Sequence, residues 1–317
     1  MAPAIQGQVS FNPHTGIQPL GGKVIFITGG TAGIGAETMR YLAAHRPAHI
    51  YFSGRNKESG NALVAEISKQ FVGVGLTFIA MDLSSFASIA SAVKAEFKHD
   101  RLDRLINNAG IMAQPFTLSK DGYEIQFATN HLGHAMLLKH LLPTLLKTAK
   151  LPNGDVRVVS LTSLGFRYHP SAGIDFERLE SGSSLSYMGT GGWLRYGQSK
   201  LANILYASEL ARRYPQITSV SVHPGVVKTP LVNTQTWYNR MLIHASQFIN
   251  GGLMKPSQGA WNTVWAVAAA EKEDLRNGTF YLPVGFDGWD NTLDKAAKDE
   301  KLASQLWEWT EEVLARY

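Results

Sequence analysis

The chain contains no cysteine in 317 residues, so disulfides and thiolate metal sites are excluded. It has no run of 18 or more apolar residues, and therefore no stretch suited to a transmembrane helix. Residues 1–20 carry Pro3, Asn12, Pro13, Gly16 and Pro19 but no basic segment followed by an apolar one, so the pattern of a secretory signal is missing. These residues are expected to form an extended arm over the rest of the chain. The expected location is cytoplasmic, with peripheral membrane contact left open. Blocks of Lys and Arg are also missing: 30 Lys+Arg against 25 Asp+Glu give a net charge of +5 spread along the chain, which argues against a nucleic-acid partner. There is no internal repeat and no low-complexity tract.

The chain does have enough apolar residues, 44%, for a full core. Apolar, β-branched runs alternate with helical patterns throughout. Strands are expected at 23–28, His49–Ser53, Leu76–Ala80, Leu102–Asn107, Asp155–Leu161, Ile217–Val222 and Gly278–Leu282. This alternation predicts an α/β fold, a doubly wound parallel sheet of the Rossmann type, in a single domain over 21–317 that binds ligands at the carboxyl ends of its strands. Two irregular stretches, 164–192 and 226–256, follow strand ends on that side and are the candidate substrate loops. The second mixes Trp237, Tyr238, Met241, Leu242, Phe248, Leu253 and Met254 with turn residues, which points to a lipophilic ligand. Lys301–Arg316, with Leu302, Leu306, Trp309 and Val313 at helical spacing, reads as a packing helix.

Two short motifs carry chemistry. Thr28-Gly-Gly-Thr-Ala-Gly-Ile-Gly35 follows a strand and leads into a helical segment, Ala36–Ala44, so bare backbone N–H groups can approach a pyrophosphate at the positive end of a helix. Tyr196-Gly-Gln-Ser-Lys200 puts a phenol and an ammonium on one helix face. A tyrosine ordinarily titrates near pH ~10, and a neighbouring ammonium favours its phenolate, which would fit it for acid/base work. About 20 positions after the glycine turn, an NAD-binding unit carries an acid for the ribose. Here that place holds Gly54 and Arg55, with no acid between Ile50 and Lys57, a pattern suited to a 2′-phosphate and therefore to NADP(H). Ser53, Asn56 and Lys57 are possible helpers. His131 and His134, at i and i+3, lack a carboxylate at ligand spacing on the same face, so a non-metal role is expected.

In order and spacing these residues resemble the short-chain dehydrogenase/reductase family over roughly 20–285. The wording Asn130-His-Leu-Gly-His134 and Tyr196-Gly-Gln-Ser-Lys-Leu-Ala-Asn203 is closest to its branch of retinol dehydrogenases, WW-domain oxidoreductases and protochlorophyllide reductases. The resemblance implies a catalytic set of Asn130, Ser163, Tyr196 and Lys200, with Ser160 the rival to Ser163 on the same strand. It places Asn130 at a helix kink that holds a water in a proton relay to Lys200. It also implies cofactor contacts from Gly29, Thr31, Gly33, Ile34, Gly35, Asp82, Leu83, Asn108, Ala109, Gly110, Pro224, Gly225 and Val227, besides Arg55, Tyr196 and Lys200. The gap between Ser163 and Tyr196 is longer than in compact members and marks 164–192 as an insertion over the site. The expected activity is NADP(H)-dependent interconversion of a carbonyl and an alcohol on a lipophilic small molecule of polyketide, terpenoid, sterol or retinoid character. The alternatives are reduction of a C=C bond and a non-catalytic NADP-binding sensor. Assembly into a homo-oligomer is left open.

Overall fold

A computed structural model describes residues 9–181, 191–228 and 253–317. Its centre is an eight-stranded sheet in the order β3-β2-β1-β4-β5-β6-β7-β8. The strands are β1 Val24–Thr28, β2 His49–Gly54, β3 Gly75–Ala80, β4 Arg104–Asn107, β5 Arg157–Leu161, β6 Thr218–Val222, β7 Phe280–Leu282 and β8 Phe286–Asp287. All pair in parallel except β8, which returns antiparallel on β7. The sequence reading missed β8, because two residues after a turn carry no periodicity. It also began the later strands one or two residues early.

Alternation along each strand explains the layers. In β1, Val24 and Phe26 point into one core and Ile25 and Ile27 into the other. The second core takes α1 (Gly33–Ala44) and α2 (Lys57–Gln70). The first takes α3 (Phe86–Glu96), α5 (Gly133–Ala149) and α7 (Gly191–Arg213). Between β4 and α5 lie a short helix, α4 (Ile125–Phe127), and a π-helical turn, Ala128–Leu132. The 164–192 stretch begins with a 3₁₀ turn, Leu164–Tyr168, and α6, Phe176–Ser181. The C-terminal helix, Glu300–Leu314, closes the first core with Leu306, Trp307, Trp309 and Val313. From residue 9 the leading segment crosses the second core, where Ile17 and Leu20 are buried and the Gln18 amide donates to the Ala268 carbonyl at 3.2 Å. Among the described residues no helix is long and apolar enough to cross a membrane.

Strand order reverses between β1 and β4, so the loops leaving their carboxyl ends diverge and open a crevice. Thr28 lies on one side of it and Asn107–Gly110 on the other.

Candidate active site

Thr28 ties the two sides together. Its hydroxyl oxygen accepts from the amides of Asn108 and Ala109, each at 3.0 Å, and the Asn108 side chain donates to the Thr28 carbonyl at 2.7 Å. The glycine turn that follows has a left-handed backbone at Gly29 (φ +65°) and packs so closely that a Cβ on Gly35 would run into the Gly29 carbonyl. Ala32 at the start of α1 supplies no side-chain cap, whereas Asn56 and Ser85 cap α2 and α3. The leading N–H groups of α1 are thus left for an anion, with Thr31, Gly33 and Ile34 around them.

The other expected cofactor residues follow successive strand ends. Arg55 is exposed after β2, next to Gly54, where a Cβ would stand 2.8 Å from the Thr31 methyl. After β3, Asp82 turns its Oδ1 to the amide and hydroxyl of Ser84, at 3.0 and 2.7 Å, and Leu83 is buried. Pro224, Gly225 and Val227 follow β6, and Val227 forms an isolated parallel bridge with Met254.

Ser163 lies just past β5. Its Oγ accepts from the Gly165 amide at 3.1 Å and shares a hydrogen bond with Tyr196. Ser160 stays within the sheet, accepting from Asn107 Nδ2 at 3.2 Å, so Ser163 is the hydroxyl that meets the tyrosine. The 3₁₀ turn Leu164–Tyr168 presses on α7: a Cβ on Gly165 would lie 2.9 Å from the Tyr196 ring. Residues 182–190 of the first candidate substrate loop, and 229–252 of the second, lie outside the described residues.

Tyr196 and Lys200 stand one turn apart on α7, 6% and 5% exposed. Lys200 Nζ donates to the Leu161 carbonyl at 3.0 Å and lies 5.9 Å from the centre of the Tyr196 ring. Burial raises the tyrosine above its ordinary range, opposed by the Ser163 hydrogen bond, and lowers the lysine to about 8. The expectation that the ammonium depresses the phenol is corrected for this state of the molecule. In a dry site at this separation, the cost of charging each group outweighs their attraction.

Asn130 sits in the π turn, where one extra residue per turn displaces the local helix register. Its Oδ1 accepts from the Ile111 amide at 2.8 Å, and its Nδ2 donates to the Ile111 carbonyl and to Ser199 Oγ, both at 2.9 Å. Gly110 fits beneath it; a Cβ there would come 3.1 Å from Asn130 Oδ1 and 3.4 Å from Lys200 Nζ. The Asn130 carbonyl is engaged by His134 Nδ1 at 2.9 Å, while His134 Nε2 meets the Thr28 hydroxyl at 2.8 Å. A carbonyl only accepts, so Nδ1 carries the hydrogen and Nε2 accepts from Thr28. Burial holds this imidazole at about 4, with the Asn130 carbonyl opposing, which keeps it neutral. His134 therefore links the glycine turn to the Asn130 turn, a role the sequence reading missed; the signal was its i+4 spacing from Asn130. His131 turns away to Thr310 Oγ1 on the C-terminal helix, at 2.9 Å.

Tyr196 also belongs to a small apolar cluster apart from both cores, formed with Met112 and flanked by Ala113, Trp193, Val226 and Leu253. Arg195 Nε lies 3.3 Å from Glu124 Oε1, an ion pair buried on both sides that fixes the start of α7 against α4.

Comparison with known proteins points the same way. Residues 23–169 match a protein-family model described as short chain dehydrogenase. Over 310 residues the chain is 36% identical to a short-chain dehydrogenase/reductase, drtF, of Aspergillus calidoustus, covering 94% of this chain and 95% of that one. It is 35% identical over 312 residues to retinol dehydrogenase 11 of Homo sapiens, covering 97% and 90%. The crystal structure of an uncharacterized protein from Mycobacterium paratuberculosis resembles it with a TM-score of 0.69 at 29% identity, covering 95% and 97%.

Proposed function

Because the chain belongs to the short-chain dehydrogenase family of nicotinamide-dependent oxidoreductases, we propose that it interconverts a carbonyl and an alcohol on a lipophilic small molecule with NADP(H). The observation that carries the reading is the convergence of Ser163, Tyr196 and Lys200 beside the crevice, with the phenol embedded in apolar side chains.

The bound cofactor would supply or accept the hydride. Its diphosphate would rest on the uncapped start of α1 and the glycine turn, and its nicotinamide half against Asn108–Gly110 and Pro224–Val227. Ser163 holds the substrate oxygen as charge develops on it, and Tyr196 donates its proton there in reduction or takes it back in oxidation. Lys200 would hydrogen-bond the cofactor ribose and keep a positive charge beside the phenol. Arg55 would pair with the 2′-phosphate. The Thr31–Gly54 packing supports that choice, since a carboxylate-bearing side chain at 54 would have to displace the Thr31 methyl. The apolar cluster supports a lipophilic substrate, as does the relative named for retinol.

The test is a screen of NADPH and NADH oxidation over a lipophilic carbonyl panel, with product identification. Tyr196→Phe is expected to bind NADPH normally and lose at least a hundredfold in turnover. Arg55→Ala is expected to weaken NADPH about ten- to a hundredfold with NADH nearly untouched. A wild-type preference for NADH overturns the cofactor assignment, and activity in Tyr196→Phe within about tenfold of wild type overturns the acid/base assignment.

A further inference from the structure

Two rings lead from the surface to the reacting phenol. Tyr168, in the 3₁₀ turn Leu164–Tyr168, is 60% exposed. Its ring lies 6.2 Å from that of Trp193, tilted by 59°. Trp193 lies 6.1 Å from Tyr196, edge-on at 85°. Trp193 is half-buried and precedes Tyr196 by three residues on α7, so the two share a helix face.

The helix start that carries the indole is held by contacts within the chain. Gly192 lies against the 111–114 segment, where a Cβ would meet Ala113 backbone atoms at 3.3 Å, and Arg195 is paired with Glu124. Arg195 also donates to the Gln114 carbonyl at 3.0 Å. Met112, Ala113, Val226 and Leu253 belong to the same apolar cluster as Trp193 and Tyr196.

From this geometry we propose that the site is built for carbonyl compounds bearing a flat ring system, with Trp193 the specificity-determining residue against which that ring lies. The inference rests on the carbonyl-reduction reading above. Aliphatic chains gain from burial against Met112, Val226 and Leu253 in proportion to area. A flat ring gains a further ring–ring attraction from Trp193, in the offset or edge-on geometries that aromatic pairs prefer. The partly exposed Trp193 and Tyr168 give such a ring a path toward Tyr196, where the carbonyl oxygen would meet the phenol and Ser163.

The experiment compares two methyl ketones with the same reacting group, one on a naphthalene and one on a linear alkyl chain, in wild type, Trp193→Ala and Trp193→Phe. Trp193→Ala is expected to lower kcat/KM for the naphthyl ketone about two- to twelvefold more than for the alkyl ketone. KM for NADPH should not move, and Trp193→Phe should recover most of the loss. Equal losses on both ketones, or none on the naphthyl ketone, overturn the proposal. Calorimetric titration of the naphthyl ketone into the enzyme with NADP bound supplies an independent readout. If wild type reduces neither ketone, the functional reading above fails. The titration then still decides the ring site: weaker binding in the alanine variant supports it, and equal binding overturns it.

Discussion

Buried cations stand at both ends of β5, and the molecule treats them differently. At the amino end, Arg157 and Arg104 of β4 are each 4% exposed and share the Asp155 carboxylate, with guanidinium–carboxylate distances of 2.8 and 2.6 Å. Their remaining donors reach the Ala266 and Val267 carbonyls at 2.9 and 2.6 Å, which ties the sheet to the segment after α8 (Pro256–Val264). At the carboxyl end, Lys200 is as deeply buried but holds one backbone carbonyl, and among the described residues no carboxylate lies within ion-pair distance of it. The arginines are neutralised and hydrogen-bonded, which is how a fold tolerates buried charge. A lysine without a counter-ion costs stability, so its presence beside the crevice reads as charge reserved for a ligand.

Lys200→Met should show the largest contrast. Turnover is expected to fall about 10²- to 10⁴-fold, while the melting midpoint rises, because Leu161 keeps its other hydrogen bond from Asn203 Nδ2 at 3.0 Å. Burial lowers this lysine from 10.5 to about 8, so the folded state is penalised for holding the proton. The stability gain of the methionine variant should therefore be full below about pH 8 and fade as pH rises toward 10.5. Melting curves across that range, beside steady-state rates, check both halves. A variant less stable than wild type at pH 7 would show that the lysine is structural.

Asp155→Asn should do the reverse. It leaves two buried guanidinium groups without their shared carboxylate, at a cost of about 3–5 kcal/mol in denaturant unfolding. The kcat/KM of the folded fraction is expected to stay within about threefold of wild type, since the cluster lies at the far end of the strand. A large loss of rate with stability intact would erase the distinction between the two ends.

The carboxyl end was the more legible in the sequence. Thr28–Gly35 and Tyr196–Lys200 are local motifs whose spacing carries their geometry, and strand periodicity was enough to locate β1 to β7. The arginine cluster was not legible, because Arg104, Asp155 and Arg157 meet Ala266 and Val267 only across long stretches of chain. His134 escaped for a related reason: a non-metal role was expected for it and for His131, but the partners that define that role, Thr28 for one ring and Thr310 for the other, are distant in sequence. The phenol's electrostatics were misjudged because spacing reports which groups are neighbours and says nothing of how dry their surroundings are.

The smallest expected effect is the most specific to Lys200. The pH dependence of kcat/KM for NADPH reports groups in the free enzyme. Burial holds Tyr196 above its ordinary range, so it stays protonated through neutral and mildly alkaline pH and contributes no limb there. Lys200 loses its proton near 8, so the profile should be flat below that point and fall about tenfold per unit above it. Lys200→Arg replaces the ammonium with a guanidinium that stays charged beyond pH ~12. Its rate should be lower throughout, because a planar fork does not fit where a single ammonium donates to Leu161, but the alkaline limb should disappear. A limb that persists near pH 8 in the arginine variant would assign the titration to another group and remove the reason for treating the uncompensated lysine as the functional end of the strand.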